Sequence, residues 1–228
     1  MPVAKTIAID GPAASGKSTL GKRLADELGY LFFDTGVMYR ALTLAALRIQ
    51  LDLYNETAIS DLAERIEIDI RTPSVEDGRN CDILIEGEDA TWEIRRPEVD
   101  ANVSLVSAYP CVRKAMTILQ RRIGQRGQVV MVGRDIGTVV MPDADVKIYL
   151  DATPEERARR RYHELLQRGE RADLQEILQA MRLRDQIDST RQIAPLRPAE
   201  DAVILDSDKL EANQVFHQVL ALVRSSGN

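Results

Sequence analysis

The chain has 228 residues, of which 44% are hydrophobic, 29% charged and only 4% aromatic, and its formal net charge is −6. This length is enough for one sizeable core with an inserted or appended subdomain. The acidic charge and the scarcity of aromatic rings argue against nucleic-acid binding, and no segment approaches the ~20 apolar residues of a membrane span. Two cysteines and an amino-terminal segment too short for a signal peptide lead us to expect a cytoplasmic protein without membrane partners.

Five short apolar segments, separated by helical patterns, predict a parallel sheet covered by helices on both faces. The predicted strands are 6–9, 30–33, 129–132, 146–150 and 202–205. Ligands of such sheets bind beyond the carboxyl ends of the strands, where each of these segments is followed by polar or charged residues. The segment 66–96 instead alternates apolar and polar residues around turn signals, which predicts a small antiparallel sheet inserted between helices.

The first predicted strand leads into residues 11–18, which match the P-loop pattern G-x-x-x-x-G-K-[ST]. Gly11 and Gly16 allow a tight turn whose N–H groups surround an anion. Lys17 can reach the β- and γ-phosphates, and the Ser18 hydroxyl can ligate Mg²⁺. A helix predicted to begin near Lys17 adds the positive end of its dipole. The loop therefore predicts a polyphosphate site.

Arginines near the ends of the other strands indicate a second, anionic substrate. Arg40 lies at the opening of the second predicted helix, and Arg134 directly follows the third strand. Arg184, Asp188 and Arg191 share one face if 183–191 is helical, although this spacing is also typical of a solvated ion-pair face. A phosphoryl transferase needs positive charge on both the donor and the acceptor phosphate, and these residues can supply it.

The segment 155–171 is dense in arginine and allows two interpretations. It is either a solvated basic helix or a lid that lays arginines over the transferring phosphates and excludes water. Arg157 and Arg161 lie four residues apart and therefore share a helical face.

These motifs leave three classes of function open. The first is a small-molecule kinase, for a mononucleotide or a metabolite alcohol. The second is a GTP-binding switch or regulatory ATPase, although no N-K-x-D motif follows the fourth strand and a switch has no use for arginines around an acceptor. The third is an RNA-binding module, which the acidic charge and low aromatic content disfavour.

The chain resembles the bacterial cytidylate kinases, a group of nucleoside monophosphate kinases. The P-loop is shared by many enzymes, whereas Gly-Arg-Asp-Ile-Gly-Thr-Val-Val at 133–140, together with the insert at 66–96, is far more discriminating. Further matching segments extend the resemblance over nearly the whole chain: 9–12, 15–19, 34–36, 39–41, 85–89, 93–95, 99–104, 110, 112–113, 147–152, 155–158, 184–185, 194–196 and 205–207. One departure is a threonine at position 35, where serine is more usual.

The resemblance implies transfer of the γ-phosphoryl group of ATP to CMP and dCMP, giving CDP or dCDP and ADP, by direct in-line transfer with Mg²⁺. It implies an α/β fold with a P-loop NTPase-type core built on a five-stranded parallel sheet. The core would comprise 1–37, 113–152 and 172–228, with a CMP-binding domain at 38–112 and a helical lid at 153–171. We further expect a monomer whose partners are its small-molecule substrates.

The resemblance also implies roles for individual residues. The catalytic residues would be Lys17, Arg134, Arg157 and Arg161, and Ser18 would hold Mg²⁺ together with waters, which Asp34 or Asp135 would orient. ATP would be bound by Gly11, Pro12, Ala13, Ala14, Ser15, Gly16, Lys17, Ser18 and Thr19. CMP would be bound by Thr35, Tyr39, Arg40, Ser104, Arg113, Arg134, Asp135, Arg184, Asp188 and Arg191.

Within that set, Arg40 and Arg134 would hold the acceptor phosphate and Asp135 would read the base. A carboxylate accepts from the exocyclic amine of cytosine, and arginines donate to its N3 and O2. Uracil has a carbonyl in place of the amine, and the mismatch is expected to cost ~1–3 kcal/mol. No residue for adenine recognition is legible in the sequence.

Overall fold

A computed structural model describes residues 4–167 and 169–226 of the chain. In chain order the elements are β1 (Thr6–Asp10), α1 (Lys17–Leu28), β2 (Leu31–Asp34), α2 (Gly36–Arg48), α3 (Glu56–Arg65), β3 (Ile68–Arg71), β4 (Asp82–Ile85), β5 (Glu88–Asp89), α4 (Pro97–Ala108), α5 (Pro110–Gly124), β6 (Val129–Gly133), β7 (Val146–Asp151), α6 (Pro154–Gln167), α7 (Leu174–Thr190), β8 (Val203–Asp206) and α8 (Ala212–Ser225). A 3-10 turn spans Glu93–Arg95, and a π-helical turn spans Ile136–Val140.

The five predicted strands form one parallel sheet in the order β2-β6-β1-β7-β8, and each predicted end lies within one residue of the observed end. The sheet class and strand count are therefore confirmed. β1 is the central strand, because it pairs in parallel with both β6 and β7. Its carboxyl end, Asp10, lies in register with Gly133 on one side and Tyr149 on the other. Three neighbouring strands thus end together at one edge of the sheet.

Alternation along β1 divides the core between the two faces of the sheet. Ile7 and Ile9 are fully buried against α1 and α8, in a cluster that includes Leu24 and Val219. Ala8 belongs to the cluster on the opposite face, which is built largely by α2 and α5. Helices on both faces explain why the strands are continuously apolar instead of alternating.

The predicted antiparallel insert is also confirmed. β3 and β4 pair with Ile68 opposite Ile85 and Ile70 opposite Ile83, and β5 adds a short third strand. These four isoleucines are buried and belong to the same cluster as the α2 and α5 side of the main core. The insert therefore shares that core instead of building a separate one.

The arginine-rich segment forms α6, which packs against α7. Only Arg157 and Ala158 are buried in α6, so most of this helix is solvated. The helix predicted at 183–191 extends to Thr190, and Arg191 is its C-cap residue. Residue 168 of the predicted lid lies outside the described residues. Within the described part of the chain, no helix combines the length and the hydropathy that crossing a membrane requires.

Candidate active site

The P-loop follows β1 and turns the chain into α1. Gly11 has a φ of +147°, and a Cβ atom on it would lie 2.1 Å from the carbonyl oxygen of Leu150, so no other residue fits there. Ala14 and Gly16 also have positive φ, which turns successive N–H groups inward. In the described first turn of α1, no side chain caps the helix and no residue is acidic. This amino terminus can therefore bind an anion.

Lys17 is 6% exposed and lies back across the loop. Its Nζ donates to the carbonyl of Pro12 at 2.5 Å and to Oγ of Ser15 at 3.3 Å. Burial, and after it the neighbouring positive charge of Arg134, lower the pKa of Lys17 to about 7. The ammonium group is therefore destabilised in the unliganded loop, and a phosphate beside it would restore its ordinary pKa.

Ser18 and Asp34 connect the start of α1 to the end of β2. The hydroxyl of Ser18 donates to Oδ2 of Asp34 at 2.9 Å, and Oδ1 of the same carboxylate accepts from the N–H of Gly36 at 3.0 Å. A hydroxyl and a carboxylate oxygen are the hard donors that Mg²⁺ prefers, and Mg²⁺ keeps several waters as its remaining ligands. The pair therefore fits a magnesium ion bound together with phosphates.

All ten residues predicted to bind the acceptor line one cleft of about 490 Å³, here called the acceptor cleft. Lys17 and Ser18 of the P-loop line it too, so the donor loop and the acceptor residues face the same space. The lining contains six cationic side chains and four acidic ones. The cleft is therefore suited to anions although the chain as a whole is acidic.

Asp135 lies in the interior of the acceptor cleft between two arginines. Its Oδ1 is 3.6 Å from Nη2 of Arg113 and 3.4 Å from Nη2 of Arg191. Burial raises the pKa of Asp135, whereas the two arginines lower it. The Nε of Arg113 is buried without a hydrogen-bond partner among the described residues, and the guanidinium lies 5.5 Å from the ring of Tyr39. A flat polar base would fit this combination of acceptor, donors and ring.

Arg134, Arg191 and Arg40 are held by acidic side chains. The Nε of Arg134 donates to Oδ2 of Asp188 at 2.8 Å, and Nη1 of Arg191 is 3.3 Å from the other oxygen of that carboxylate. Arg40 forms an ion pair with Asp100 and donates to the carbonyl of Ile94 at 3.2 Å. Asp100, on α4, lines the cleft and was not predicted.

The two predicted lid arginines lie in different environments. Arg157 is 1% exposed, and its guanidinium donates to the carbonyls of Ala152 and Ala13, each at 3.0 Å, and to both oxygens of Asp185. It thus joins α6 and α7 to the P-loop. Arg161 forms an ion pair with Glu164 at 2.8 Å and lines a cavity of about 720 Å³ between the P-loop and α6–α7.

A family model described as cytidylate kinase matches residues 7–225. The cytidylate kinase of Chloroflexus aggregans is 55% identical over 210 residues, which cover 92% of this chain and 90% of that protein. The enzyme of Herpetosiphon aurantiacus is 48% identical over 223 residues, covering 98% and 96%. That of Roseiflexus castenholzii is 50% identical over 224 residues, covering 98% and 95%. The chain belongs to the cytidylate kinase family.

This membership confirms the resemblance seen in the sequence and makes the chain an enzyme, a phosphotransferase that binds nucleotides. The roles of individual residues in this cytidylate kinase family member stay predictions. The structure adds to them by bringing the ten acceptor residues together around the P-loop.

A third pocket, of about 510 Å³, lies between the P-loop, α1, α6 and α8. Arg160 lines it and donates to Oγ and the carbonyl of Ser207, and Ser207 Oγ donates to the carbonyl of Ser15. Apolar side chains of Leu210 and Val215 complete it. Sequence reasoning did not find this pocket, because its residues come from four separate segments without a shared motif.

Proposed function

We propose that this kinase transfers the γ-phosphoryl group of ATP to CMP and to dCMP, giving CDP or dCDP and ADP. The observation that carries the proposal is the acceptor cleft, in which the ten acceptor residues lie beside Lys17 and Ser18. The family match supports the choice of cytidine nucleotides as acceptors.

The base would be read by Asp135 and its two arginines. The carboxylate would accept from the exocyclic amine of cytosine, while Arg113 and Arg191 would donate to N3 and O2. The Thr35 hydroxyl donates to the carbonyl of Val132 at 3.1 Å, which leaves its lone pairs available for the same amine. Uracil would place a carbonyl against these acceptors, so UMP should be the poorer substrate.

The acceptor phosphate would be held by Arg40 and Arg134, whose planar guanidinium groups match the geometry of a phosphate. Each would exchange its acidic partner, Asp100 or Asp188, for the phosphate. Ser104, Arg184 and Asp188 line the remaining part of the cleft and would bind the ribose hydroxyls.

The triphosphate of ATP would occupy the P-loop, with its charge met by the loop N–H groups and by Lys17. Ser18 and Asp34 would hold Mg²⁺, which supplies charge neutralisation to the phosphates when bound. The pocket of about 510 Å³ beside Leu210 and Val215 would receive the adenine.

Arg161 lines the space above the P-loop and would approach the transferring phosphates when α6 closes. A catalytic role for Arg157 would require its bonds to Asp185 and Ala13 to open first. The acceptor is an already ionised phosphate, so no general base is needed, and positioning with charge stabilisation would carry the reaction.

A steady-state assay of ADP formation with CMP, dCMP, UMP and AMP at equal concentrations tests the proposal. We expect kcat/KM for CMP to exceed that for UMP by ~10- to 100-fold, the equivalent of one lost hydrogen bond and one unpaired buried group. Asp135→Ala should raise KM for CMP far more than KM for ATP. A higher kcat/KM for UMP or AMP than for CMP would refute the assignment of the acceptor.

A further inference from the structure

Asp10, the last residue of β1, is a buried carboxylate to which the reaction as proposed gives no role. It is 3% exposed, although it lies at the edge of the sheet where the substrates meet. Both of its oxygens are occupied by backbone donors: Oδ1 accepts from the N–H of Ile136 and Oδ2 from the N–H of Gly137, each at 2.7 Å. An ionised carboxylate with two short backbone hydrogen bonds is a strong local constraint.

The two donors are the first residues of the π-helical turn that follows β6. Between the end of β6 at Gly133 and this turn lie only Arg134 and Asp135. The backbone of Asp10 pairs in register with Gly133, so it fixes the start of this two-residue segment, and its side chain fixes the end. One residue of the strand that carries the P-loop therefore clamps both ends of the segment that carries the predicted acceptor readers.

We propose that Asp10 is a positioning residue, which sets Arg134 and Asp135 relative to the P-loop so that phosphate and base are bound in line with the donor. The proposal rests on the proposed function, because it acts through the two acceptor residues assigned there. It requires no contact between Asp10 and either substrate, in keeping with its burial.

Electrostatics supports this role. Burial raises the pKa of Asp10 to about 6, and the two backbone N–H groups and Lys17 oppose that rise. An apolar side chain in this place would leave the two buried N–H groups of Ile136 and Gly137 without acceptors. The role of Asp10 is to hold the N–H groups of residues 136 and 137, whose positions decide where the side chains of Arg134 and Asp135 point.

Asp10→Asn tests the role, because it keeps the size of the side chain while replacing one acceptor oxygen by a donor that faces an N–H. We expect KM for CMP to rise ~10-fold or more, and the ratio of kcat/KM for CMP to that for UMP to fall ~5-fold or more, since a charged hydrogen bond is lost. KM for ATP and kcat at saturating CMP should change less than ~3-fold, because the P-loop and its own contacts are kept.

Asp145 offers a matched control, because its carboxylate accepts from backbone N–H groups at the opposite end of β1. Oδ2 of Asp145 accepts from the N–H groups of Lys5 and Thr6 at 2.8 and 2.9 Å, far from the acceptor cleft. Asp145→Asn should lower the melting temperature without changing KM for CMP or the CMP to UMP ratio. Asp10→Glu is the second variant in case Asp10→Asn folds poorly, since it keeps the charge but adds one methylene, which moves the carboxylate oxygens relative to the N–H groups of Ile136 and Gly137. It should lower the ratio in the same direction.

Two results would overturn the positioning role. One is an Asp10→Asn enzyme that melts earlier but keeps wild-type KM for CMP and wild-type selectivity. The other is an equal kinetic change in Asp10→Asn and Asp145→Asn. Asp135→Ala, assayed beside them, separates the two proposals. If it keeps wild-type selectivity while Asp10→Asn still raises KM for CMP, base reading by Asp135 fails and positioning of Arg134 by Asp10 is supported.

Discussion

Arg157→Met is the substitution that most directly tests how the P-loop is supported. Arg157 is almost fully buried and makes four hydrogen bonds, two of them to carbonyls and two to the carboxylate of Asp185. Methionine fills much of the same volume but leaves these acceptors unpaired. Removing one partner of a buried ion pair destabilises a protein by ~3–5 kcal/mol. Because the Asp185 side chain is 25% exposed and can regain water, we expect the lower end, ~3 kcal/mol.

For a chain of this length, a loss of that size lowers the melting temperature by ~6–12 °C. Urea denaturation gives the free energy of unfolding, and Arg159→Met is the matched control. Arg159 lies on the same helix, but its side chain is 61% exposed and pairs with Glu156, so its loss should cost less than ~1 kcal/mol. If Arg157→Met and Arg159→Met unfold within ~1 kcal/mol of each other, the buried clamp does not support the loop as argued.

The same variant tests the predicted catalytic role of Arg157. At a temperature where the variant is fully folded, a loss of kcat of ~100-fold or more would favour a direct contact with the transferring phosphates. A kcat within a few-fold of wild type, together with the lowered stability, would leave Arg157 as a support of the loop and Arg161 as the remaining lid candidate.

Lys17→Met should keep or raise the melting temperature of the free enzyme near pH 6, because the buried ammonium group with its lowered pKa is unfavourable there. In the same variant kcat should fall by ~100-fold or more, and the rise in melting temperature on adding ATP should shrink. Unchanged turnover would remove Lys17 from the mechanism. The pKa of Asp10 is raised by burial from 3.8 to about 6, so its contribution to stability is present below about pH 4 and lost as the pH rises through about 6. The free energy of unfolding of wild type relative to Asp10→Asn should therefore fall by ~3 kcal/mol between about pH 3 and about pH 7 in urea titrations, and a difference independent of pH would contradict the raised pKa. Gly133→Ala would place a Cβ 2.6 Å from Cδ1 of Ile136 and 2.8 Å from Oγ1 of Thr35, so it should raise KM for CMP and destabilise the fold by ~1–3 kcal/mol, which kinetics and denaturation would both detect.

The sheet was predictable because β1, β6 and β7 are buried on both faces and therefore apolar, and each strand is followed by polar residues at the ligand edge. The insert was predictable because one of its faces is buried and the other solvated, which produces the period-two pattern of isoleucines. Arg40, Arg134 and the 184–191 segment were found from the sequence pattern, and the resemblance added the other acceptor residues. The cleft shows why these residues are spread along the chain. They lie at the ends of β2 and β6 and on α2, α4, α5 and α7, which meet only in three dimensions.

The sequence does not show which side of a helix or strand packs against the rest of the protein, and the features that it left open depend on this packing. The spacing of Arg157 and Arg161 places them on one helical face, but it does not say that one turn of that face lies buried against the P-loop and the next faces the cavity. Asp10 reads as the last residue of a strand, and only the return of the 133–137 segment reveals its two N–H partners. Asp100 is one acid among many until α4 brings it to Arg40.

The acidic partners of the acceptor arginines explain how the cleft stays ordered before its substrate arrives. Asp100 and Asp188 neutralise Arg40 and Arg134, so the guanidinium groups are held in place and less side-chain freedom is lost on binding. On the proposed roles, a phosphate bound by Arg134 would free Oδ2 of Asp188 to accept from a ribose hydroxyl, while Oδ1 stays beside Arg191. Phosphate and sugar would thus be recognised through one exchange of partners. A nucleoside lacks the phosphate that would release Asp188 from Arg134, and inorganic phosphate lacks the hydroxyl that would occupy Asp188, so on the proposed roles both would bind more weakly than a nucleotide.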